Sequence, residues 1–340
     1  MDQKKSLIPF IHEKIKENIP DLDKCVFGDL FAGAGNFSFF TAPLVKTMVA
    51  NDLELYSYII NKALISCNYT PSLQQRIDEL NDLDGVEGIV CQNFSPNKHC
   101  ERMFFTTENA KLIDAMRQQL EMWLFYDDID QKEHDFLLAS LLVSLDKVSN
   151  TSCVYGAYLK QFKKSAQKKL TVVPIHTRSN NNEANGATVG SAEIIAKMTT
   201  FDAVYLDPPY NQRQYAANYS PLNYIVRYDE HIVLTGKTGL MKNYNKSGFC
   251  SKRKVKESFE EIIQNLNTRY IFLSYNNEGL LSKEALKTIL EKKGEVTLYQ
   301  KEYPKFKAQS KVDGDTVTEY LWFVKVTKNW FEIFLKIYYK

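Results

Sequence analysis

The sequence lacks the features of secreted, membrane-spanning and metal-binding proteins. Its six cysteines are scattered and form no CxxC pair, so neither a disulfide framework nor a paired zinc site is expected. No apolar run approaches the length of a membrane span, and we expect no signal peptide at the amino terminus. These absences predict a cytoplasmic protein that needs neither a membrane nor a metal ion.

The chain also lacks a large net charge, which is only +2. This excludes a protein that is basic over its whole surface. The basic residues are nevertheless concentrated, because no acid lies between Asp146 and Glu183 or between Glu230 and Glu257. Such stretches suit contact with phosphate groups, and the alternative is two ordinary solvated surfaces. The basic residues are Lys147, Lys160, Lys163, Lys164, Lys168, Lys169 and Arg178 in the first stretch, and Lys237, Lys242, Lys246, Lys252, Arg253, Lys254 and Lys256 in the second.

The most informative motif is Asp-Pro-Pro-Tyr at 207–210, which follows the apolar run 203–206. Two consecutive prolines end the predicted strand, because proline has no backbone N–H and a fixed φ. The motif therefore places a carboxylate and an aromatic ring at the carboxyl end of a strand, where open α/β sheets bind ligands. Asp207 and a backbone carbonyl can accept the two hydrogens of an exocyclic amino group while Tyr210 stacks on the base. The alternative is a strand end followed by an ordinary turn.

A second motif is the glycine turn at 32–35, which lies between a predicted strand and a predicted helix. Gly33 and Gly35 allow the backbone to approach a ligand at positions where a Cβ would clash. Asp52 ends the next predicted strand 17 residues after Gly35, at a spacing typical of an acid that binds ribose hydroxyls. The turn is shorter than the GxGxxG of dinucleotide enzymes, which favours S-adenosylmethionine over NAD.

The two motifs resemble the signatures of the adenine-N(6) DNA methyltransferases. The glycine motif comes first and roughly 170 residues intervene, as in the α-class, in which the target-recognition region lies between the motifs. Residues 7–11 resemble the amino-terminal cofactor motif of that class. Residues 150–166, 211–215 and 272–279 resemble one bacterial subgroup. The resemblance extends from about residue 4 to about residue 325 and implies a bacterial or phage-encoded enzyme.

The resemblance and the motifs together give a set of expected site residues. The expected catalytic residues are Asp207, Pro208, Pro209 and Tyr210. The expected S-adenosylmethionine-binding residues are Phe10, Asp29, Phe31, Ala32, Gly33, Gly35, Asn36, Asp52 and Asp207. The expected DNA-binding residues are Asn211, Arg213, Tyr155, Lys160 and Lys163, with Arg102, Asn150 and Tyr158 as further candidates. Tyr215 and Tyr219 are expected either to line the pocket or to pack in the core.

The predicted fold is α/β, a Rossmann-like methyltransferase fold with a doubly wound sheet. Strands are expected at 25–31, 47–51, 202–206 and 270–275, and segments 295–303 and 319–325 predict a closing antiparallel pair. Residues 179–190, which are rich in Asn and Gly, predict a loop. We expect a catalytic domain made of 1–69 and 171–340, and a mostly helical DNA-recognition insertion at 70–170.

The expected activity is transfer of a methyl group from S-adenosylmethionine to the exocyclic nitrogen of an adenine flipped out of duplex DNA. Double-stranded DNA is the expected partner, and a cognate restriction endonuclease is left open. One alternative is methylation of RNA or of a cytosine amino group, although the latter enzymes more often carry Ser-Pro-Pro-Trp. The other alternative is a DNA-binding subunit with a degenerate methyltransferase core.

Overall fold

The computed structural model describes residues 7–152, 154–177, 182, 184–304 and 316–327. Arg178 is the last basic residue of the first basic stretch, and Glu183 is the acid that ends the stretch. Both lie outside these ranges. Within them, no helix is both long and apolar enough to cross a membrane. The same residues contain no cluster of three His, Cys, Asp or Glu side chains that could hold a metal ion.

The described residues form nine strands and twelve α-helices. The strands are β1 (Val26–Asp29), β2 (Thr47–Asp52), β3 (Gly186–Val189), β4 (Ala203–Leu206), β5 (Leu234–Thr235), β6 (Leu240–Met241), β7 (Tyr270–Asn276), β8 (Gly294–Pro304) and β9 (Thr316–Val326). The helices are α1 (Ile8–Asn18), α2 (Asn36–Thr41), α3 (Leu55–Ser66), α4 (Pro71–Asn81), α5 (Ile89–Phe94), α6 (Thr107–Phe125), α7 (Gln131–Val148), α8 (Ala192–Met198), α9 (Tyr215–Asn218), α10 (Ser220–Arg227), α11 (Val255–Asn265) and α12 (Lys283–Glu291).

Seven strands form one sheet in the order β3-β2-β1-β4-β7-β9-β8. β1, β2, β3, β4 and β7 are parallel, whereas β9 is antiparallel to both β7 and β8. This topology confirms the predicted doubly wound sheet with a closing antiparallel pair. The order reverses at β1 and β4, so their carboxyl ends flank the crevice in which such sheets bind ligands.

The sheet is buried on both faces because successive side chains of a strand point to opposite sides. In β4, Tyr205 packs in one apolar cluster with Phe27, whereas Val204 and Leu206 pack in another across the sheet. Gly28 of β1 lies against the ring of Phe201, where an added Cβ would be 2.9 Å from the ring carbons. These contacts help to fix the position of β1 relative to β4 in the sheet.

The strand β3 was not predicted, because its residues fall in the polar segment that we expected to be a loop. β3 is only four residues long and lies at the edge of the sheet, where Gly186–Val189 pair with Val49–Asp52. An edge strand need not be apolar, because one side of it faces solvent. The described part of the predicted loop is therefore in part a strand, and the prediction was wrong there.

Helices α4 to α7 fill most of the region between α3 and β3. Thr106 caps α6 by accepting from the Asn109 N–H, and Asp130 with Glu133 forms a capping box at the start of α7. One apolar cluster contains these helices together with α3 and α10. The expected boundaries of the insertion, 70 and 170, stay a prediction, and its helices share a core with the segments on both sides.

Candidate active site

The carboxyl ends of β1, β2 and β4 open into a cavity of about 1260 Å³. Single small-molecule sites usually measure about 300–1,000 Å³, so this cavity has room for more than one ligand. Both sequence motifs face it, although they lie roughly 170 residues apart in the chain. The expected site residues that line it are Asp29, Phe31, Ala32, Gly33, Asn36, Asp52, Asp207, Pro208, Pro209 and Tyr210.

The glycine turn has two left-handed residues, Gly33 with φ +53° and Gly35 with φ +82°. A Cβ on Gly33 would meet nothing within 4 Å, because this residue faces the cavity. A Cβ on Gly35 would lie 2.6 Å from Leu64 Cδ1 of α3. Gly35 is therefore required for packing on α3 and does not line the cavity. A cofactor contact at Gly35 stays a prediction.

Asp52 connects the end of β2 to the glycine turn. Its Oδ2 accepts a hydrogen bond of 2.7 Å from the Gly33 N–H, and its Oδ1 accepts one of 2.9 Å from the Glu54 N–H. Burial raises the pKa of this carboxyl, and the two backbone donors oppose that rise. Because each carboxylate oxygen has two lone pairs, Asp52 keeps acceptor capacity for hydroxyl groups in the cavity.

Asp29 is a buried carboxyl at the end of β1. Its Oδ2 accepts a hydrogen bond of 2.7 Å from Ser38 Oγ. Its Oδ1 has no hydrogen-bond partner among the described residues. Burial, with a smaller contribution from the charge of Asp207, raises the pKa of Asp29 to about 7. A buried acceptor without a partner in a cavity wall is suited to a cationic or hydrogen-bond-donating ligand.

The Asp-Pro-Pro-Tyr loop is braced by backbone hydrogen bonds on both sides. The Leu280 N–H donates to the Tyr210 carbonyl at 3.1 Å. Beyond the loop, the Gln214 amide donates to the Ser247 carbonyl at 3.1 Å and accepts from the Ser247 N–H at 2.8 Å. Cys250 Sγ also donates to the Arg213 carbonyl at 3.3 Å. No local sequence pattern predicted Gln214 or Ser247, because they lie 33 residues apart and pair only in the folded structure.

A stack of tyrosines forms another part of the cavity wall. The rings of Tyr215 and Tyr219 are stacked, with centroids 6.2 Å apart and planes at 17°. Tyr219 in turn lies 5.0 Å from the ring of Tyr56. Tyr215 is 44% exposed, so its ring is accessible from the cavity mouth. Of the two uses expected for these residues, pocket lining holds for both.

Glu54 also lines the cavity, and sequence reasoning missed it. Its side chain is buried and accepts a hydrogen bond of 2.5 Å from the Asn223 amide. Burial raises the pKa of Glu54 to about 7, with Asp52 adding to the rise. The available signal was a second acid two residues after the strand-ending Asp52. Asn223, which holds it, comes from α10 and could not be connected to it in advance.

Phe10 does not line the cavity, although its helix does. Ile8 and Ile11 of α1 face the cavity, one turn apart on the same side of the helix. Phe10 lies outside that face, and the ammonium group of Lys301 lies 5.4 Å from the centroid of the Phe10 ring. The amino-terminal motif thus lies beside the cavity, but Phe10 is not among the residues that line it, and a cofactor contact at Phe10 stays a prediction.

The expected DNA-binding residues divide into two groups. Asn211, Arg213 and Lys160 are exposed and available to a partner. Lys163 is half-buried, and its ammonium donates to the Thr151 carbonyl at 2.7 Å. These four remain predictions as DNA contacts.

Tyr155 is corrected, because it is only 2% exposed. Its hydroxyl donates to Asp146 Oδ1 at 3.0 Å, and its ring packs in the helical core. The further candidate Asn150 is fully buried and bonds to the backbone of Met103 and Leu159. Neither side chain can reach DNA in this structure.

Arg102 is also corrected as a direct reader of DNA. Its guanidinium donates to three backbone carbonyls, those of Asn93, Gly236 and Lys237. These bonds hold the turn between β5 and β6 against the helical region. The remaining candidate, Tyr158, packs its ring edge-on against Phe104.

A doubly wound sheet with a glycine turn, a strand-ending acid and an Asp-Pro-Pro-Tyr loop on one cavity defines an α/β enzyme of the methyltransferase class. The chain belongs to the D12 class N6 adenine-specific DNA methyltransferases, whose family model matches residues 3–289. The predicted family and enzyme class are thereby confirmed: the protein is a site-specific adenine DNA methyltransferase.

Several characterised relatives are similar over most of the chain. Type II methyltransferase M.NlaIII of Neisseria lactamica is 43% identical over 83% of this chain and 84% of its own length. Type II methyltransferase M.CviAII of Paramecium bursaria Chlorella virus 1 is 39% identical over 95% of this chain and 97% of its own length. Type II methyltransferase M.FokI of Planomicrobium okeanokoites is 35% identical over 95% of this chain but 52% of its own length.

Proposed function

We propose that this enzyme uses S-adenosylmethionine to methylate the exocyclic nitrogen of an adenine that is flipped out of duplex DNA. The observation that carries the proposal is the shared cavity. Asp52 and the glycine turn line one part of it, and the Asp-Pro-Pro-Tyr loop lines another. A volume of about 1260 Å³ accommodates a nucleoside cofactor and a base together.

The residues of β1 and β2 fit the polar groups of the cofactor. Asp52 has spare lone pairs at a strand end, where ribose hydroxyls are bound in doubly wound folds. The partnerless oxygen of Asp29 fits the ammonium group of the methionine part, because a cation would compensate a buried carboxylate. Gly33 leaves the cavity open beside Asp52, since no side chain projects there. We therefore assign these three residues to cofactor binding.

Asp207 and the carbonyl of Pro208 are assigned to the adenine amino group. The nitrogen lone pair of adenine is delocalised into the ring, so the amino group must become pyramidal before it reacts. Two acceptors that hold both amino hydrogens favour that geometry and stabilise the positive charge that develops on nitrogen. When bound, S-adenosylmethionine supplies an electrophilic methyl group whose bond to sulfur breaks as the new N–C bond forms. The amino group then loses one proton.

Tyr210 is assigned to the face of the flipped base. The amino group of adenine is engaged in a base pair, and flipping costs a few kcal/mol of stacking and pairing. Stacking on an aromatic ring recovers about 1–3 kcal/mol. Tyr215, whose ring is accessible at the mouth of the cavity, is the second ring that a base passing through would meet.

The part of the second basic stretch that lines the cavity is assigned to the DNA backbone. Lys246 and Lys254 of this stretch line the cavity, and no acid interrupts it between 231 and 256. Positive charge at the cavity mouth positions the phosphates on both sides of the flipped nucleotide without reading sequence. Asn211 and Arg213, which are exposed just beyond the catalytic loop, join this surface.

The decisive experiment is the variant Asp207→Ala. Loss of one of the two acceptors should reduce methyl transfer to duplex DNA by about 100-fold or more. Calorimetry should show S-adenosylmethionine binding that is largely retained. The matched control is Asp23→Ala, an exposed aspartate outside the cavity, which should keep wild-type activity. Full activity of Asp207→Ala would refute the assigned role.

Nucleoside analysis separates the proposed substrate from its alternatives. After incubation with DNA and RNA, mass spectrometry should detect 6-methyladenine in the DNA digest. Methylated cytosine, or methylation confined to RNA, would contradict the substrate assignment. Absence of S-adenosylmethionine binding would favour a degenerate DNA-binding subunit instead.

We also propose a cognate restriction endonuclease as a functional partner, because M.NlaIII and M.CviAII are named as Type II methyltransferases. DNA from cells that express this enzyme should then resist the partner endonuclease of its own source. Cleavage at fully methylated sites would count against the pairing.

A further inference from the structure

We propose that the hairpin of β5 and β6 inserts into a groove of the DNA and reads base edges beside the flipped adenine. The inference rests on the proposed function and adds to it the element that determines which adenine is chosen. The hairpin is separate from the main sheet and is made of Leu234–Thr235 and Leu240–Met241. A two-stranded ribbon of this kind fits the major groove of B-DNA.

The hairpin has one face turned to the protein and one turned outward. Leu234 pairs with Met241, and both pack toward the helical core. On the other face, Val233 is 59% exposed and Thr235 and Lys242 are exposed as well. Lys237 is exposed at the tip. The outward face thus presents an apolar group, a hydroxyl and two ammonium groups.

These side chains match the chemistry of base edges. An ammonium group donates to the acceptors N7 and O6 of guanine, a hydroxyl bonds to several bases, and an apolar group contacts the thymine methyl. Thr235 Oγ1 donates to the Leu240 carbonyl at 3.0 Å, so it keeps lone pairs for a base amino group.

The tip of the hairpin is held in place by Arg102. The guanidinium bonds to the carbonyls of Gly236 and Lys237, and also to Asn93 of the helical region. Gly236 and Gly239 both have φ +69°, which produces a tight turn. A rigid ribbon loses little conformational entropy when it binds, which favours precise recognition. Arg102 is therefore a positioning residue for this hairpin.

The hairpin lies within reach of the catalytic cavity. Lys246, which lines the cavity, is only five positions after Met241, so their Cα atoms are at most about 18 Å apart. Asn245 on this path donates to the Leu53 carbonyl, also in the cavity wall, at 2.9 Å. Base pairs repeat about every 3.4 Å, so the hairpin lies within about five base pairs of the cavity wall at Lys246.

The charge of the segment identifies DNA as the partner rather than another protein. The hairpin lies inside the stretch of seven basic residues that no acid interrupts. Its neighbours Lys242 and Lys246 continue the positive charge to the cavity mouth. A polyanion beside the cavity is attracted to this positively charged surface.

The test is the variant Thr235→Ala/Lys237→Ala. Methylation-sensitive sequencing of DNA from expressing cells first defines the recognition site of the unaltered enzyme. The variant should then lose about tenfold or more in the ratio of kcat/KM for the recognition duplex to kcat/KM for a duplex with one base pair changed. S-adenosylmethionine binding should be unchanged. Lys287→Ala, which changes an exposed lysine of α12 outside the cavity wall, is the control and should keep the wild-type ratio.

A second pair of variants tests the clamp. Gly236→Ala and Gly239→Ala impose the same backbone strain, since both residues have φ +69°. Only the Cβ of Gly239→Ala would meet Arg102, at 2.9 Å from Nε, whereas at Gly236 nothing lies within 4 Å. We expect Gly239→Ala to lower the ratio several-fold more than Gly236→Ala. Equal effects would contradict the positioning role of Arg102.

The outcomes distinguish this inference from the proposed function. An unaltered enzyme that does not methylate DNA would overturn both. An active double variant with an unchanged ratio would overturn the hairpin inference alone. A loss of activity that is uniform over all duplexes would identify phosphate contacts and would likewise overturn base reading.

Discussion

Asp29 lies in the cavity wall with one carboxylate oxygen bonded to Ser38 and the other without a partner among the described residues. Burial raises its pKa to about 7, so the free enzyme carries a carboxyl that titrates near neutral pH. Deprotonation is needed to bind a cation. Because burial disfavours the charged form of Asp29, the protonation state of this carboxyl depends on whether a cationic ligand is bound.

The first residue-scale prediction concerns pH. Because the folded pKa of Asp29 is raised, the group is protonated below about pH 7 and cannot pair with the cofactor ammonium. Affinity for S-adenosylmethionine should fall by up to about tenfold for each pH unit below 7 and stay constant above it. Asp29→Asn should bind weakly and without this pH dependence, as measured by calorimetry between pH 5.5 and 8.

Glu54 provides the comparison, because its pKa is also raised to about 7 and it lines the same cavity. Asn223 already donates to Glu54 Oε2, whereas Asp29 has a free acceptor. Glu54→Gln should therefore keep the pH dependence. If that variant flattens the profile while Asp29→Asn does not, the titrating group is Glu54.

The residues that the sequence predicted correctly as cavity-lining share one property: they belong to local motifs. Asp52 and Asp207 each follow an apolar run that predicts a strand, so the neighbouring residues identify them as acids at strand ends. Gln214 and Glu54 depend on partners 33 and 169 residues away, which no local pattern encodes. Tyr155 was misjudged because an aromatic residue in a lysine-rich segment suits nucleic-acid binding and a core position equally.

At the scale of elements, the glycine turn needs glycine for two reasons, which are the open cavity and the packing against α3. The sequence alone does not show which reason applies to which glycine. Gly33 faces open cavity, whereas Gly35 packs against Leu64 and Asn61 of α3. Both have positive φ, so both favour glycine for backbone reasons. Their different surroundings give different consequences on substitution.

Gly35→Ala should lower the free energy of unfolding by about 2–4 kcal/mol, because positive-φ strain and overpacking add. Gly33→Ala should lower the free energy of unfolding by only about 1–2 kcal/mol, because the new Cβ adds positive-φ strain but clashes with no other atom. Gly33→Ala should instead weaken S-adenosylmethionine binding, because the new methyl group projects into the cavity. Urea denaturation and calorimetry on both variants separate these effects, and equal losses of stability would contradict the packing role of Gly35.

The strands of the parallel core could be predicted because each is an apolar run bounded by a turn or an acid. β3 could not, since it is only four residues long, lies at the sheet edge and falls in a segment rich in Asn and Gly. Helices α4 and α5 lie in the segment predicted to be mostly helical, but their bounds could not be predicted, because α4 has few apolar positions and α5 is only six residues long. The hairpin of β5 and β6 was too short, at two residues per strand, to give a periodic signal.

At the scale of the whole molecule, the helical region and the sheet are joined by α3. On one side α3 packs against Gly35 of the glycine turn, and on the other side it packs against α7. Lys62 of α3 pairs with the buried Asp135 of α7 at 2.5 Å. A continuous apolar cluster and a charge pair across the boundary both oppose independent unfolding of the helical region.

We therefore expect one cooperative unfolding transition. Trp123 lies in the helical region and Trp322 in the sheet, and both are buried. In a background in which the third tryptophan, Trp330, is replaced by Phe, Trp123→Phe and Trp322→Phe should each show a urea midpoint by fluorescence equal to its own midpoint by circular dichroism. Two separated transitions would show that the helical region is an autonomous domain.

The shared cavity of about 1260 Å³ also has a consequence for inhibition. Two substrates that occupy adjoining parts of one chamber can be joined by a short linker into one compound. The second half of such a compound binds at the high effective concentration set by that linker, so its affinity exceeds that of either half alone. Because the Asp-Pro-Pro-Tyr loop and the glycine turn must both be engaged, a purine linked to a nucleoside would discriminate against enzymes that share only one of these walls.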